Sequence, residues 1–265
     1  MKSLHSALVL LAPLSLLPAT PAQAGDGPSV TVAASSQDFS DGYGSLRSVT
    51  LEYKAVLDDD TTVLVSPVVG QRRTASMEES AVGGGATVYH DWSGTVSTRT
   101  QAFVAEDEPV FANLDLSQDV TVKVASQTTV TVGGRWARYF GGKEVTFLSV
   151  GARQYFKGGS VAYRLSRIDP EGGRAFLAHL LNLTLDDPHG AGKTRLWLGT
   201  GAASLERSQL EDSFTGHDWS GLVQRAQPLT GKLALIGSAG VSTYARPGDD
   251  ITSTTVGLGL KLGLD

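Results

Sequence analysis

Residues 110–124, VFANLDLSQDVTVKV, hold a two-residue rhythm over a length that few folds can use. Its even positions read Val110, Ala112, Leu114, Leu116, Val120, Val122 and Val124, with Gln118 as the one polar break. Its odd positions after Phe111 read Asn113, Asp115, Ser117, Asp119, Thr121 and Lys123. Successive side chains of a strand point to opposite faces, so the stretch predicts one extended strand with an apolar side and a charged side. Strands of soluble proteins usually stop at about 5–6 residues, whereas a tilted strand crossing a bilayer needs about 9–11, apolar toward lipid and polar toward the axis. The pattern predicts a membrane-spanning barrel strand.

The rest of the chain repeats this unit. Alternating segments fall at 29–34, 47–57, 61–73, 82–92, 95–105, 110–124, 128–140, 144–156, 160–168, 174–185, 193–205, 219–227, 232–244 and 251–264. The expected fold is therefore all-β, a single antiparallel up-and-down transmembrane β-barrel of about 14 strands, or twelve if the weak first strand or the strand holding Pro67 is absent. Connections alternate short and long. The short set, at 58–60, 93–94, 125–127, 157–158, 187–192 and 228–231, shares an end with both termini. The other set lies at 37–45, 74–80, 106–109, 141–143, 170–173, 206–218 and 246–250. Short turns of outer-membrane barrels face the periplasm, which predicts both termini there, in the outer membrane of a Gram-negative bacterium.

Ahead of the first strand, Lys2, the apolar run 7–17 and Ala22-Gln23-Ala24 read as a secretory signal peptide over 1–24, leaving 25–265 as the barrel. No later segment offers 18 uninterrupted apolar residues, so no transmembrane helix is expected. Thirty-one glycines favour strands over helices, and the absence of cysteine removes disulfides and thiolate metal sites. A net charge of -5 gives no reason to expect a nucleic-acid partner.

Little in the sequence points to chemistry. His90, His179, His189 and His217 sit in different segments, and no serine stands in a nucleophile-elbow pattern, so no catalytic residue is assigned. A surface hydrolase using His179 or His217 is the remote third reading. Asp58-Asp59-Asp60 and Glu106-Asp107-Glu108 lack EF-hand spacing and read as solvated turns, and Gly83-Gly84-Gly85 precedes no helix. No metal or cofactor is expected.

With the apolar faces turned to lipid, the lumen receives Glu52, Lys54, Arg99, Asp115, Asp119, Lys123, Arg135, Arg164, Arg195 and Arg225. Arginine dominates. A cationic lining favours anions through field focusing in a low-dielectric channel. Asp115 and Asp119 also lie within reach of a strand carrying Arg99 or Arg135, so the same charges can instead form a ladder that braces a plugged barrel. Interface girdles are expected from Tyr89, Trp92, Tyr155 and Phe156 at one end and Tyr139, Phe140, Trp219 and Tyr244 at the other.

Several motifs resemble the YaiO family of outer-membrane β-barrels. They are Thr98-Arg99-Thr100, Pro109-Val110-Phe111-Ala112, Gln118-Asp119, Tyr139, Tyr163-Arg164, Asp186-Asp187-Pro188 with Gly190 and Gly192, Leu196-Trp197-Leu198, Gly201, Gln224-Arg225 and Gln227-Pro228-Leu229-Thr230. The Asp-Pro-x-Gly-x-Gly turn followed by Leu-Trp-Leu is the most specific of these. The resemblance implies a Gram-negative outer-membrane barrel, in some relatives associated with surface-polysaccharide machinery. The expected partners are outer-membrane lipid, the barrel-insertion machinery and an anionic solute or glycan. The expected function is a narrow Arg-lined passage or docking site for that anion, with a plugged structural or assembly barrel as the alternative.

Overall fold

A strand with one greasy face has to bury that face or turn it to lipid, and here it is turned outward all the way round. The computed structural model describes residues 27–188, 192–201, 219–246 and 249–264. The signal-peptide assignment over 1–24, the loop 206–218, His189 and His217 lie outside the described residues. The strands are β1 (Ser29–Phe39), β2 (Gly44–Val56), β3 (Thr61–Arg73), β4 (Glu78–Asp91), β5 (Val96–Ala105), β6 (Leu114–Ala125) and β7 (Thr128–Arg138). They continue as β8 (Glu144–Phe156), β9 (Gly159–Pro170), β10 (Phe176–Asp186), β11 (Lys193–Thr200), β12 (Trp219–Pro228), β13 (Leu233–Arg246) and β14 (Asp249–Gly263). Each pairs antiparallel with its sequence neighbour, and β1 returns to pair with β14 from Ser29↔Gly263 to Phe39↔Ser253. The closed fourteen-strand barrel has no free edge.

Side-chain parity assigns the two faces. Val49, Leu51, Val65, Leu148, Leu258 and Leu260 are between 44% and 62% exposed, whereas their inward neighbours Ser48, Val68 and Gln37 are buried. A soluble monomer does not keep a continuous apolar belt of this size against water, and the belt faces away from the protein instead of into a dry layer between two sheets. No helix among the described residues is long and apolar enough to cross a membrane, and a barrel crosses with its strands.

The first strand runs on to Phe39, beyond the expected 29–34. Two of its three added inward residues are polar, Ser35 Oγ meeting Ser48 Oγ of β2 at 2.9 Å and Gln37 donating to Ser253 Oγ of β14 at 3.0 Å, while the third, Phe39, is buried among apolar side chains. Polar residues on the lumen face end no strand, but they blur its alternation in sequence. The Pro67 strand is also present. Pro67 has no N–H, and the β2–β3 register passes from Thr50↔Val68 to Tyr53↔Val65 without pairing it, while Pro67 keeps its partner Gly84 on β4.

The opening stretch needs a correction, because β6 starts at Leu114. Val110, Phe111 and Ala112 leave the lipid face and fold inward, with exposures of 0%, 7% and 8%. A tight acidic turn drives this. Glu106 N–H donates to Val82 O, Val82 N–H to the Glu106 carboxylate, and Val110 N–H to Glu108 O at 2.7 Å. Ala105 N–H donating to Asn113 O closes the base of the loop. Val110 and Phe111 pack among Phe39, Leu46, Val68, Ala81, Tyr244 and Ile251, while Ala112 joins Ala137, Tyr139, Val145, Phe147, Ile168 and Ala178. The segment thus joins two apolar clusters on opposite walls and plugs the mouth remote from the termini. Gly70 makes room for it, since a Cβ there would lie 2.4 Å from Phe111 Cζ.

Gly70→Val is therefore expected to expel the plug. The chain has no cysteine of its own. A single Val110→Cys should resist a water-soluble maleimide in the native barrel and react at least about tenfold faster when Gly70→Val is added, in proportion to the opened population.

Candidate functional site in the barrel lumen

Below the plug the lumen is ionic. Asp115 on β6 is 2% exposed and accepts a two-pronged hydrogen bond from Arg135 on β7, Nε lying 2.9 Å from each carboxylate oxygen. Arg135 also lies over the Phe147 ring of β8, 4.9 Å from its centroid. A planar guanidinium can satisfy both partners at once, one through its edge and one through its face. Removing one member of a pair buried to this degree typically costs about 3–5 kcal/mol, because the other charge stays behind unpaired.

Asp119, two inward positions further down β6 beyond Ser117, binds two arginines. Arg99 on the neighbouring β5 approaches to 3.6 Å and also donates to Gln101 Oε1 at 2.5 Å. Arg164 comes from β9, three strands away, and reaches Asp119 Oδ2 at 3.1 Å and Oδ1 at 3.4 Å. Its path crosses two strands at glycines. Gly133 of β7 pairs with Asp119, and a Cβ there would fall 1.8 Å from Asp119 Oδ1; Gly151 of β8 pairs with Arg164. The bare backbone at these two positions is what allows the cross-lumen bridge.

Parity places the remaining lumen candidates. Glu52 and Lys54 face in on β2, and Glu52 feels Lys54 and Lys261, the latter from β14. Lys123 lies at the exposed near end of β6, and Arg195 on β11 faces in and donates to Gln224 at 3.2 Å. Arg225 is a correction. It pairs with Thr194 in a register where Leu196 pairs with Val223, so it sits on the outer wall at the rim that carries the termini. There it binds the Asp187 carboxylate through both oxygens and donates to Thr194 Oγ1 at 3.0 Å. This hydrogen bonding holds the Asp187 carboxyl below its ordinary range.

The aromatic girdles are also half corrected. Trp92, Phe156 and Trp219 are exposed on the outer wall and Phe140 is exposed in the turn after β7, but Tyr89, Tyr139, Tyr155 and Tyr244 point inward. Position along the strand does not decide the face; parity does. Tyr89 stands opposite Arg99, and Tyr155 lies 6.0 Å from the Arg153 guanidinium. Sequence reasoning also missed Arg72 and Arg153. Arg72 is fully buried, 4.5 Å from the Phe39 ring centroid, and donates to Tyr43 O. Arg153 was findable by parity from Leu148 and Val150, which fix the lipid face of β8. His90 and His179 are both on the outer wall, hydrogen-bonded to Thr61 and Tyr163.

Two outcomes follow. Gly133→Ala should lower the barrel melting temperature by displacing the Asp119 carboxylate, and adding it to Asp119→Asn should cost much less than it costs the native barrel, as a double-mutant cycle on thermal unfolding would read. Because the folded pKa of Asp187 is depressed, its pairing stabilises the barrel above the ordinary carboxylate pKa and is lost as pH falls through the folded value. Arg225→Gln should therefore destabilise at neutral pH, with the difference from the native chain closing in acid below the usual carboxylate range.

The family model of the YaiO membrane beta barrel domain matches residues 28–204. Among solved structures, a bacterial polysaccharide outer membrane secretin superposes with a TM-score of 0.58 at 7% identity, covering 91% of this chain and 99% of its own. The TodX deltaS2S3 mutant monoaromatic hydrocarbon channel gives 0.53 at 8% identity, covering 90% and 91%. At these identities the likeness concerns the fold. The family match, the closed barrel and its lipid-facing belt agree, and the chain belongs to the YaiO membrane β-barrel family.

Proposed function

We propose that the protein is an outer-membrane barrel, both termini in the periplasm, whose cationic inner wall takes up an anionic solute or surface glycan below a plugged outer mouth. One observation carries the reading. Among the described residues, the inward positions of β8 to β12 include Arg153, Arg164, Arg195 and Lys193, and the one carboxylate among them, Asp186, is tied to Lys193 at the rim. Low-dielectric walls focus such a field, so anions concentrate inside and cations do not. The orientation rests on turn length: the end bearing the termini carries only short connections, as periplasmic ends do. The polysaccharide secretin with the same architecture makes a glycan a reasonable cargo to test.

A second reading, a closed structural or assembly barrel, is favoured by the buried plug and the Asp–Arg pairs that brace the waist. Planar bilayers separate the two. The passage reading expects small currents from the native barrel, larger ones from Val110→Ser with Phe111→Ser, and a reversal potential that favours chloride. Arg153→Gln with Arg195→Gln should shift that potential toward the non-selective value. Silence from both the native and the opened barrel would overturn the passage and leave the structural reading.

A further inference from the structure

The bridge from Arg164 to Asp119 leaves a gap on its other side. Against the bare backbone of Gly151 lies a cavity of about 60 Å³, lined by Thr131, Arg153, Ala162, Arg164, Leu180 and Asn182. The strand registers show how it is built. Thr131, Gly151, Arg164 and Leu180 form one inward row across β7 to β10, and Arg153, Ala162, Asn182 and Trp197 form the next across β8 to β11. The small residues Gly151 and Ala162 leave the hollow, and the long polar ones wall it.

Its electrostatics are one-sided. Arg153 and Arg164 both line the hollow, and like charges at one small cavity repel each other. Arg164 has Asp119, but among the described residues Arg153 is held by the Ser160 hydroxyl at 3.0 Å and lies over the Tyr155 ring, 6.0 Å from its centroid, with no carboxylate beside it. Two guanidiniums beside a void cost free energy that an oxyanion placed between them would recover through charge-assisted hydrogen bonds. A second, independent feature adjoins this. Trp197, the cross-strand neighbour of Asn182, is 6% exposed, and its indole N–H has no hydrogen-bond acceptor among the described residues. Buried donors without acceptors are rare in folded proteins and mark places where a partner is absent.

Resting on the cationic-lumen reading, we infer that the Gly151 hollow is a subsite for the acidic group of a sugar. The carboxylate sits between Arg153 and Arg164, and the ring extends toward Asn182 and Trp197, where the indole and amide N–H groups meet hydroxyls. The hollow has room for an acid group and not for a whole pyranose, so the ring lies in the open lumen. A buried indole N–H beside a cation suits such a ligand, because an acidic sugar offers hydroxyl acceptors along with its carboxylate.

Titration calorimetry on the full barrel in detergent micelles, with D-glucuronate, D-glucose and inorganic phosphate as probes, tests this. Glucuronate should bind, glucose should not, and phosphate should bind more weakly because it leaves the indole unused. Arg153→Gln should weaken glucuronate by roughly tenfold or more, the effect of one lost charge-assisted contact. Ala162→Leu keeps every charge but fills the hollow, and should do the same, with heat-modifiable gel migration showing that both variants remain closed barrels. Glucuronate binding that survives both substitutions overturns the subsite while the cationic lumen stands. Phosphate binding as tight as glucuronate overturns its assignment to a sugar. If no acidic probe binds and the bilayer reversal potential shows no preference for chloride, the subsite and the reading beneath it fall together.

Discussion

In hydrocarbon an unpaired backbone N–H or C=O has no water to turn to, and this requirement dictates the rest of the molecule. It forces β1 onto β14, which removes the edges, and closure gives every strand one face toward lipid and one toward the axis. Once the faces are fixed, a side chain's chemistry follows from whether its position is odd or even. Even the irregularities obey: Pro67 skips its pairing to β2 but stays in the wall because β4 still holds it.

Closure leaves an interior too wide for opposite walls to touch, and the chain fills it in two different ways. At the mouth away from the termini it uses a loop, folding Val110 and Phe111 among apolar side chains of one flank and Ala112 among those of the other. At the waist it uses long charged side chains, with Arg135 and Arg164 reaching for carboxylates on β6. Both solutions depend on missing side chains, at Gly70 under Phe111 and at Gly133 under Asp119. Glycine here serves close approach more than turning.

The sequence made the barrel, its strand number and most strand limits legible, because a two-residue period sustained over ten or more positions has few other uses. It made Asp115, Asp119, Arg99, Arg135 and Arg164 legible as inward for the same reason. It misled where alternation was read on one face alone. Val110 and Ala112 continue the apolar rhythm of β6 but leave the strand at the acidic turn, and both a lipid face and a plug want apolar residues. The four tyrosines share the height of Trp92 and Trp219 along the strands but not their parity, and a phenol suits a polar lumen as well as an interface. Arg225 has the charge of a lumen residue, yet a rim position lets an arginine sit outside when Asp187 meets it there. The contact between Arg164 and Asp119 was not legible at all, because it spans three strands and depends on two glycines that composition reports only as a total.

That long contact has a mechanical side. Strand-to-strand hydrogen bonds resist sliding and separation but do little against flattening, and a hoop of fourteen strands can ovalise at small cost to any one of them. Arg164 and Asp119 run as a chord across the arc from β6 to β9, so that quarter of the hoop has a strut while the arc through β11 to β13 shows none among the described residues. Lateral pressure from the bilayer would then deform the cross-section unevenly, giving the barrel a stiff side and a compliant side.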